Sequence, residues 1–432
     1  MDFSSEAKSS HHHDTHALPP IPIQEAYLHY NKVKRQELEQ DDDILYFGRE
    51  LSEKQRDIWR PAGTISASVI ENACNDYWKA ALTTDDSPCL TDFQDATIYE
   101  HKDIPGLQIV PGILPMETQI LFTSQLMHRD LADPKHKINL EADYHIPYPP
   151  PRPPPQDDLP ASSSTSTPSH SFFTLPQSSP NHALHPKPPA AASSPTRTNK
   201  KPLNMAQFLA SKLRWLTLGE QYDWPTRSYG ITRTPFPPDL SVLVTGLFPH
   251  IRPESGVVLV YSGKDYMPVH RDVSEHCERA LASFSVGCEG VFVIQKGDGD
   301  GDGNDEGERG SGGDGEEDHG GHRERNGGDE REDRKHEQQQ QQQQQQQVVP
   351  RRRPDRTAAI RVRSGDCVLL SGEARWAWHA MPRTIPGTCP EPLAQWPVGT
   401  PGASEEERRA YGKWKGYMGT KRINVSCRQV WD

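Results

Sequence analysis

The stretch LASFSVGCEGVFVIQ, residues 281–295, holds two short apolar runs separated by a glycine-rich break. Each run is rich in β-branched and aromatic residues and too short for an average helix, which is typical of β-strands. Similar runs are GVVLVY (256–261), TAAIRVR (357–363), CVLLSG (367–372) and KRINVSC (421–427). Short strands that follow one another without helices between them favour an antiparallel barrel or a double-sheet jelly roll. We therefore predict an α+β protein with a jelly-roll core.

Helical patterns precede these strands. Apolar residues recur at three- and four-residue spacing in SASVIENACNDYWKAAL (66–82), and METQILFTSQLMHRDL (116–131) opens after a proline. A third helix is predicted for MAQFLASKLRWLTLG (205–219), closed by its final glycine. Between the first two helices, GLQIVPGIL (106–114) has the composition of a short strand. We expect the helices to support one face of the core.

Composition separates the segments that can fold from those that cannot. Proline and serine dominate 147–202, whereas 297–347 is rich in glycine and acidic residues and ends in ten glutamines. Such compositions bury too little apolar surface to offset chain entropy, so both segments are expected to be disordered. The predicted organisation is a disordered tail (1–20), a helical extension (21–95), the first part of the core domain (96–146), a Pro/Ser-rich linker (147–202), and the rest of the core domain (203–432), interrupted by an acidic poly-glutamine insert at 297–350.

Charge and cysteine content bound the partners and the compartment. The net charge of −12 does not exclude a nucleic-acid partner, because 16 acidic and six basic residues within 297–347 account for most of it. Seven scattered cysteines without a CxxC pair indicate a reducing compartment. No signal peptide and no apolar run of about 18 residues are visible. We expect a soluble, intracellular protein without a membrane partner, in the nucleus or the cytoplasm, with the mitochondrion left open.

A metal site is the sharpest chemical prediction. In an extended strand the side chains of His270 and Asp272 point to the same side, so both can bind one ion. A third ligand, His379, would complete two nitrogens and one carboxylate, the ligand set of non-haem Fe(II) oxygenases. Taken alone, His-x-Asp is weak evidence, because most such triplets are solvated loop residues.

The C-terminal strand predicts an anion site. Strict alternation puts Arg422, Asn424, Ser426 and Arg428 on one face, with apolar residues on the other. Two inward-facing arginines are costly without an anion, and a dicarboxylate matches guanidinium geometry. The alternative is an exposed edge strand whose arginines are solvated.

Together these motifs resemble the AlkB dioxygenases. The pattern His270-x-Asp272, then His379, then Arg422-x-Asn424-x-x-x-Arg428 is similar to the signature of that family. The resemblance covers roughly 97–146, 203–296 and 351–432, and HAMPRT and RQV are most similar to the eukaryotic AlkB-homologue-one branch. It implies a double-stranded β-helix core, Fe(II) on the first three residues, 2-oxoglutarate on the last three, and O2 as the oxidant.

One departure concerns the 2-oxoglutarate pocket. AlkB proteins usually have Asn eleven residues before the first metal-binding His and Tyr nine residues before it, and both contact 2-oxoglutarate. Here these positions are Leu259 and Tyr261, so the Tyr is kept and the Asn is lost. The exchange predicts a lower affinity for 2-oxoglutarate and leaves a weakly active protein as an alternative.

The segment LTLGEQYDWPTRSYGITRTPFPPDL (216–240) resembles the nucleotide-recognition region of the family. Tyr222, Trp224 and Tyr229 offer flat faces on which a flipped methylated base can stack. The alternative is that these aromatic residues simply pack a loop that is rich in proline.

The family resemblance implies oxidative demethylation of N-methyladenine in nucleic acid, with RNA favoured over DNA. The products would be formaldehyde, succinate and CO2. Two alternatives stay open: a histone or other protein demethylase with the same iron centre, and a weakly active nucleic-acid-binding scaffold. Succinate formation separates the two enzymes from the scaffold. We expect a monomer.

Overall fold

A computed structural model describes residues 17–82, 92–150, 171–188, 200–223, 226–230, 233–296 and 357–431. All of them belong to one compact unit that joins residues 1–297 to 356–432. The predicted insert at 297–350 and the first 16 residues of the predicted tail lie outside the described residues, as does Trp224.

Most described strands belong to two larger sheets. The strands are β1 (Ile44–Leu45), β2 (Trp59–Ile65), β3 (Ala96–His101), β4 (Leu107–Val110), β5 (Tyr144–His145), β6 (His185–Pro186), β7 (Trp215–Gly219), β8 (Tyr222–Asp223), β9 (Ser228–Tyr229), β10 (Ser255–Ser262), β11 (Met267–His270), β12 (Leu281–Gly287), β13 (Glu289–Gln295), β14 (Thr357–Val362), β15 (Cys367–Leu370), β16 (His379–Ile385) and β17 (Lys421–Arg428). One sheet has the order β1-β14-β13-β16-β11, and the other has the order β2-β3-β4-β15-β12-β17-β10-β7. Neighbouring strands are antiparallel except for β1 and β14. The strand predictions are therefore confirmed.

Helices precede and flank the sheets. They are α1 (Ile21–Lys32), α2 (Arg35–Gln40), α3 (Glu53–Ile58), α4 (Ala67–Leu82), α5 (Met116–Ser124, continued by a π-helix at Gln125–Asp130), α6 (Met205–Gln207, continued by a π-helix at Phe208–Lys212), α7 (Pro238–Leu247), α8 (Gly372–Arg375), α9 (Glu391–Ala394) and α10 (Glu405–Tyr411). Short 3-10 helices lie at Phe172–Thr174, Pro180–His182, Gly412–Trp414 and Tyr417–Thr420. Helices α4 and α7 pack against each other, and α5 begins after Pro115 as predicted. No helix in the described part of the chain is long and apolar enough to cross a membrane.

The N-terminal extension contributes strands as well as helices, so the purely helical prediction for 21–95 is wrong. Strand β1 pairs in parallel with β14, and β2 pairs with β3 at one end of the eight-stranded sheet. β1 has only two residues, and the five central residues of β2 are exposed. Neither strand shows the apolar alternation from which a strand can be predicted.

The helix predicted over 205–219 is too long. The helical part ends at Lys212, and Trp215–Gly219 forms β7, which pairs with β10. The apolar run WLTLG fits a buried strand as well as a helix, so the pattern alone could not place the boundary. Gly219 closes the strand at φ +65°, where a Cβ atom would lie 2.2 Å from the carbonyl oxygen of Glu254.

The predicted disordered linker at 147–202 is wrong for residues 171–188. Phe172 and Phe173 are buried there, and the ring of Phe173 lies 5.0 Å from that of Trp396 and 5.3 Å from that of Trp414. The two phenylalanines anchor a short segment within a polar composition, and they add it to the main hydrophobic core. Composition averaged over more than 50 residues hides such an anchor.

Strand β17 organises the interior because it lies between β12 and β10 in the eight-stranded sheet. Ile423, Val425 and Cys427 belong to the main hydrophobic core on one face. The alternate residues, Arg422, Asn424, Ser426 and Arg428, line a cavity on the other face. The alternation is therefore confirmed, and the alternative of an exposed edge strand is wrong.

Candidate active site

Three side chains that line one cavity lie close together. His270 ends β11 and His379 begins β16, and the two residues are direct partners in the antiparallel register. Asp272 follows two residues after His270. One ligand atom from each of these residues lies within 4.8 Å of the other two, so a single ion can be shared. The pairing of two neighbouring strands thus joins residues that are far apart in the sequence.

The backbone fixes which ring nitrogen faces the site. His270 Nδ1 lies 2.9 Å from the carbonyl oxygen of Pro268, and His379 Nδ1 lies 3.0 Å from that of Ala377. A carbonyl oxygen only accepts, so each Nδ1 carries the hydrogen and each Nε2 keeps a lone pair for a metal. Burial lowers the pKa of His379 to about 4, which keeps that ring neutral and able to coordinate.

Asp272 is held as a carboxylate. Burial alone would raise its pKa, but the positive charge of Arg428 holds the pKa well below its usual range. Arg428 Nη1 lies 3.1 Å from Asp272 Oδ2, which leaves the other carboxylate oxygen without that contact. Two imidazoles that present Nε2 and one ionised carboxylate on one side suit Fe(II), which has room for further ligands in such a site.

Arg422 also lines the cavity, which has a volume of about 550 Å³. Its side chain is fully buried, and burial lowers its pKa. One Nη donates to Ser285 Oγ over 2.9 Å, and the other lies 3.5 Å from the carbonyl oxygen of Cys288. Nε has no hydrogen-bond partner, and no carboxylate in the described part of the chain lies within 4 Å. A buried cation with an unpaired donor fits a dicarboxylate such as 2-oxoglutarate.

The other residues predicted for this pocket also line the cavity. In the antiparallel pair of β10 and β17, Tyr261 lies opposite Arg422 and Leu259 lies opposite Asn424. The amide nitrogen of Asn424 donates to Ser283 Oγ over 2.8 Å, so neighbouring strands fix its orientation. Leu259 therefore presents an apolar side chain to the cavity beside Asn424.

A sequence model of the 2OG-Fe(II) oxygenase superfamily matches residues 181–428, more than half of the chain. The chain belongs to this superfamily. Fe(II), 2-oxoglutarate and O2 are the cofactor and cosubstrates of this oxidoreductase, and the His-Asp-His group offers the place for the iron.

Fungal relatives make the similarity more specific. Over 337 residues the oxygenase is 32% identical to the N6-methyladenosine RNA demethylase ALKB1 of Pyricularia oryzae, which covers 78% of this chain and 77% of that protein. Over 290 residues it is 34% identical to the N6-methyladenosine RNA demethylase ALKBH of Cryphonectria parasitica. This alignment covers 67% of this chain and 98% of that protein. The tRNA demethylase abh1 of Schizosaccharomyces pombe is 24% identical over 342 residues. This alignment covers 77% of this chain and 82% of that protein. The predicted resemblance to AlkB proteins is confirmed.

Two of the three predicted stacking residues are described, and both lie beside the cavity of the oxygenase. Tyr222 and Tyr229 face each other across the β8–β9 hairpin, with ring centroids 5.3 Å apart. Tyr222 is partly exposed, whereas Tyr229 is buried and donates its hydroxyl to Glu275 Oε1 over 3.2 Å. Trp224 lies outside the described residues, so its predicted role stays a prediction.

Sequence reasoning missed one part of the oxygenase site, a buried ion pair between Glu275 and Arg375. Arg375 Nη2 lies 3.0 Å from Glu275 Oε2, and both side chains are 1% exposed. Arg428 Nη1 also contacts Glu275 Oε1 over 2.7 Å. In the segment HRDVSEH the glutamate follows two other charged residues, and nothing in the sequence distinguishes it from a solvated loop carboxylate.

Proposed function

We propose that this oxygenase removes the N6-methyl group of methyladenine in RNA. The observation that carries the proposal is the position of the tyrosine hairpin beside the His-Asp-His group, which lets a flipped base reach the centre. Support also comes from two fungal relatives named as N6-methyladenosine RNA demethylases, which the chain matches over most of their length.

We infer that the two larger sheets form a double-stranded β-helix. Support comes from the order of the strands, because β10, β12, β15 and β17 lie in the eight-stranded sheet while β11, β13, β14 and β16 lie in the five-stranded sheet. From β10 to β17 the chain thus passes repeatedly between the sheets. In this arrangement the end of β11, the start of β16 and the inner face of β17 line one cavity.

In this proposal, His270, Asp272 and His379 hold Fe(II), and Arg422 and Arg428 hold 2-oxoglutarate. When bound, iron and 2-oxoglutarate supply the oxidising chemistry that consumes O2, yields succinate and CO2, and hydroxylates the N-methyl carbon. The hydroxylated product then loses formaldehyde to give the unmodified amine. The residues of the chain orient the reactants, while Tyr261 and Asn424 complete the wall of the cosubstrate pocket.

The hairpin residues hold the base. Tyr222 supplies a partly exposed ring for stacking, and Tyr229 supports it from the buried side. Trp224, between them in the sequence, is proposed as a further stacking surface. Stacking tolerates any base, so the preference for methyladenine must come from the space in front of the metal ligands.

A nucleoside assay tests the proposal directly. The protein is incubated with Fe(II), ascorbate and 2-oxoglutarate and with RNA that carries N6-methyladenosine, and the nucleosides are quantified by mass spectrometry. We expect loss of methyladenosine with stoichiometric formaldehyde, faster for RNA than for DNA of the same sequence, and none with His379→Ala. Succinate formation with a histone peptide but not with either nucleic acid would contradict the RNA substrate and favour a protein substrate.

A second candidate is a nucleic-acid-binding scaffold with weak activity, and Leu259 is the observation that favours it. An apolar side chain opposite Asn424 removes one hydrogen-bond donor from the proposed cosubstrate pocket. RNA binding without succinate formation at saturating 2-oxoglutarate would identify the scaffold. Turnover at a high KM for 2-oxoglutarate would identify a working enzyme with a weakened pocket.

The proposal extends to assembly and location. We expect the protein to act as a monomer in the nucleus, the cytoplasm or both, and the mitochondrion stays open as a further location. Light scattering after size-exclusion chromatography tests the first statement, and microscopy of a fluorescent fusion tests the second.

A further inference from the structure

We propose that Glu275 is a positioning residue that couples RNA binding at the tyrosine hairpin to 2-oxoglutarate binding at Arg428. The inference rests on the proposed function, because it assigns RNA and 2-oxoglutarate to two sites along one chain of hydrogen bonds and ion pairs. That chain runs from Tyr229 through Glu275 and Arg428 to Asp272.

Glu275 is buried, so its charge must be fully paired. Its Oε1 accepts from Tyr229 Oη over 3.2 Å and from Arg428 Nη1 over 2.7 Å, while Oε2 lies 3.0 Å from Arg375 Nη2. The two carboxylates, Glu275 and Asp272, balance the two guanidinium groups. One oxygen atom is therefore shared by the hairpin and the arginine that we assign to 2-oxoglutarate.

Arg375 fixes the position of Glu275 on the side of the proposed metal ligands. Its Nη1 donates to the carbonyl oxygen of Asp272 over 2.8 Å, and its Nε donates to that of Arg279 over 3.2 Å. Arg375 also ends α8, four residues before His379. Arg375 thus links Glu275 to the backbone of Asp272, one of the proposed metal ligands.

The weakly held part of this network is the β8–β9 hairpin that carries Tyr229. Among the described residues, strands β8 and β9 share two residue pairs, so the position of the hairpin depends on contacts such as that from Tyr229 to Glu275. A base that stacks on the hairpin holds Tyr229 in place, which fixes Glu275 and keeps Arg428 between its two carboxylates. A cosubstrate that fixes Arg428 favours the same arrangement, so each ligand should strengthen the binding of the other.

The test measures RNA affinity with and without the cosubstrate. Mn(II) replaces Fe(II) so that no turnover occurs, and fluorescence anisotropy follows a short oligoribonucleotide that carries N6-methyladenosine. For the wild-type protein we expect Mn(II) with 2-oxoglutarate to tighten RNA binding by about fivefold or more over Mn(II) alone. Tyr229→Phe keeps the ring but removes the hydroxyl, and should bring this ratio close to one. Glu275→Gln should do the same and also weaken 2-oxoglutarate binding in calorimetry.

Tyr266→Phe is the matched control, because Tyr266 is 55% exposed and lies outside the network; it should keep the wild-type ratio. A residue with only a structural role would lower both affinities and leave the ratio unchanged. An equal RNA affinity in both states of the wild-type protein, or an unchanged ratio in Tyr229→Phe, would overturn the coupling even if the enzyme demethylates RNA. A coupled protein that releases no formaldehyde would instead contradict the proposed function.

Discussion

Two arginines of β17 should respond in opposite ways to the same substitution. Arg422 is fully buried, and no carboxylate in the described ranges lies within 4 Å of it, whereas Arg428 contacts both Asp272 and Glu275. We expect Arg422→Met to stabilise the ligand-free protein and Arg428→Met to destabilise it. Both changes should weaken 2-oxoglutarate binding.

The magnitudes follow from the contacts. Burial of an ion costs several kcal/mol, whereas the short hydrogen bond from Arg422 to Ser285 returns about 1.5–3 kcal/mol and the 3.5 Å contact with the carbonyl oxygen of Cys288 adds little. Arg422→Met should therefore raise the free energy of unfolding by about 1–3 kcal/mol. Arg428→Met leaves the buried Glu275 and the partly buried Asp272 with one fewer cation, and a broken buried pair costs about 3–5 kcal/mol. Two charge-assisted hydrogen bonds lost from 2-oxoglutarate amount to at least about 3 kcal/mol, so Arg422→Met should weaken its binding by about 100-fold or more.

Denaturant unfolding with a chelator present gives the two stabilities, and calorimetry with Mn(II) gives the affinity for 2-oxoglutarate. Circular dichroism spectra that match the wild-type protein serve as the control for folding. The reasoning is refuted if Arg422→Met lowers the free energy of unfolding as much as Arg428→Met does. That result would mean that Arg422 has an anionic partner in the ligand-free protein.

Four further predictions concern the cosubstrate pocket, the metal, the insert and the core. Leu259→Asn places an amide in the cavity, and one hydrogen bond to a charged group contributes about 1.5–3 kcal/mol; the KM for 2-oxoglutarate should fall by about tenfold, and an unchanged KM in a folded variant would argue against this contact. His379→Ala should abolish both Mn(II) binding in calorimetry and succinate formation, and near-normal turnover would refute the metal assignment. Deletion of 298–347 should leave demethylation almost unchanged, because β13 and β14 are adjacent antiparallel strands; a folded variant without activity would implicate the insert in substrate binding. Phe173→Ala should cost about 3–5 kcal/mol in denaturant unfolding, and a loss below about 1 kcal/mol would mean that the segment is not part of the core.

The strands around the site could be predicted because their sequences follow a strict local rule. Alternation in β17 separates Arg422 and Asn424 from Ile423 and Val425. His270 and Asp272 also converge as predicted, although β11 ends at His270. The third member, His379, is distant in sequence, and no local pattern connects it to β11. The assignment of His379 as a metal ligand depended on the family resemblance. Its pairing with His270 in the strand register explains why the two residues are close.

The rest could not be predicted because it depends on contacts between distant segments. Glu275 is buried only because Arg375 and Arg428 reach it from other elements. Phe173 is buried only because an aromatic cluster near the C-terminus receives it. Composition and periodicity describe one segment at a time, so they assign such residues to loops and linkers.

The pairing of β1 with β14 has a consequence for how the protein avoids aggregation while it folds. Without Ile44–Leu45, the free backbone groups of β14, all of whose residues are buried, would form an open sheet edge. Open edges of this kind recruit strands from other molecules and initiate aggregation. A fragment that begins after residue 45 should therefore self-associate and precipitate on refolding, even though it keeps every residue of the proposed iron site. The N-terminal extension thus protects the sheet against intermolecular strand exchange.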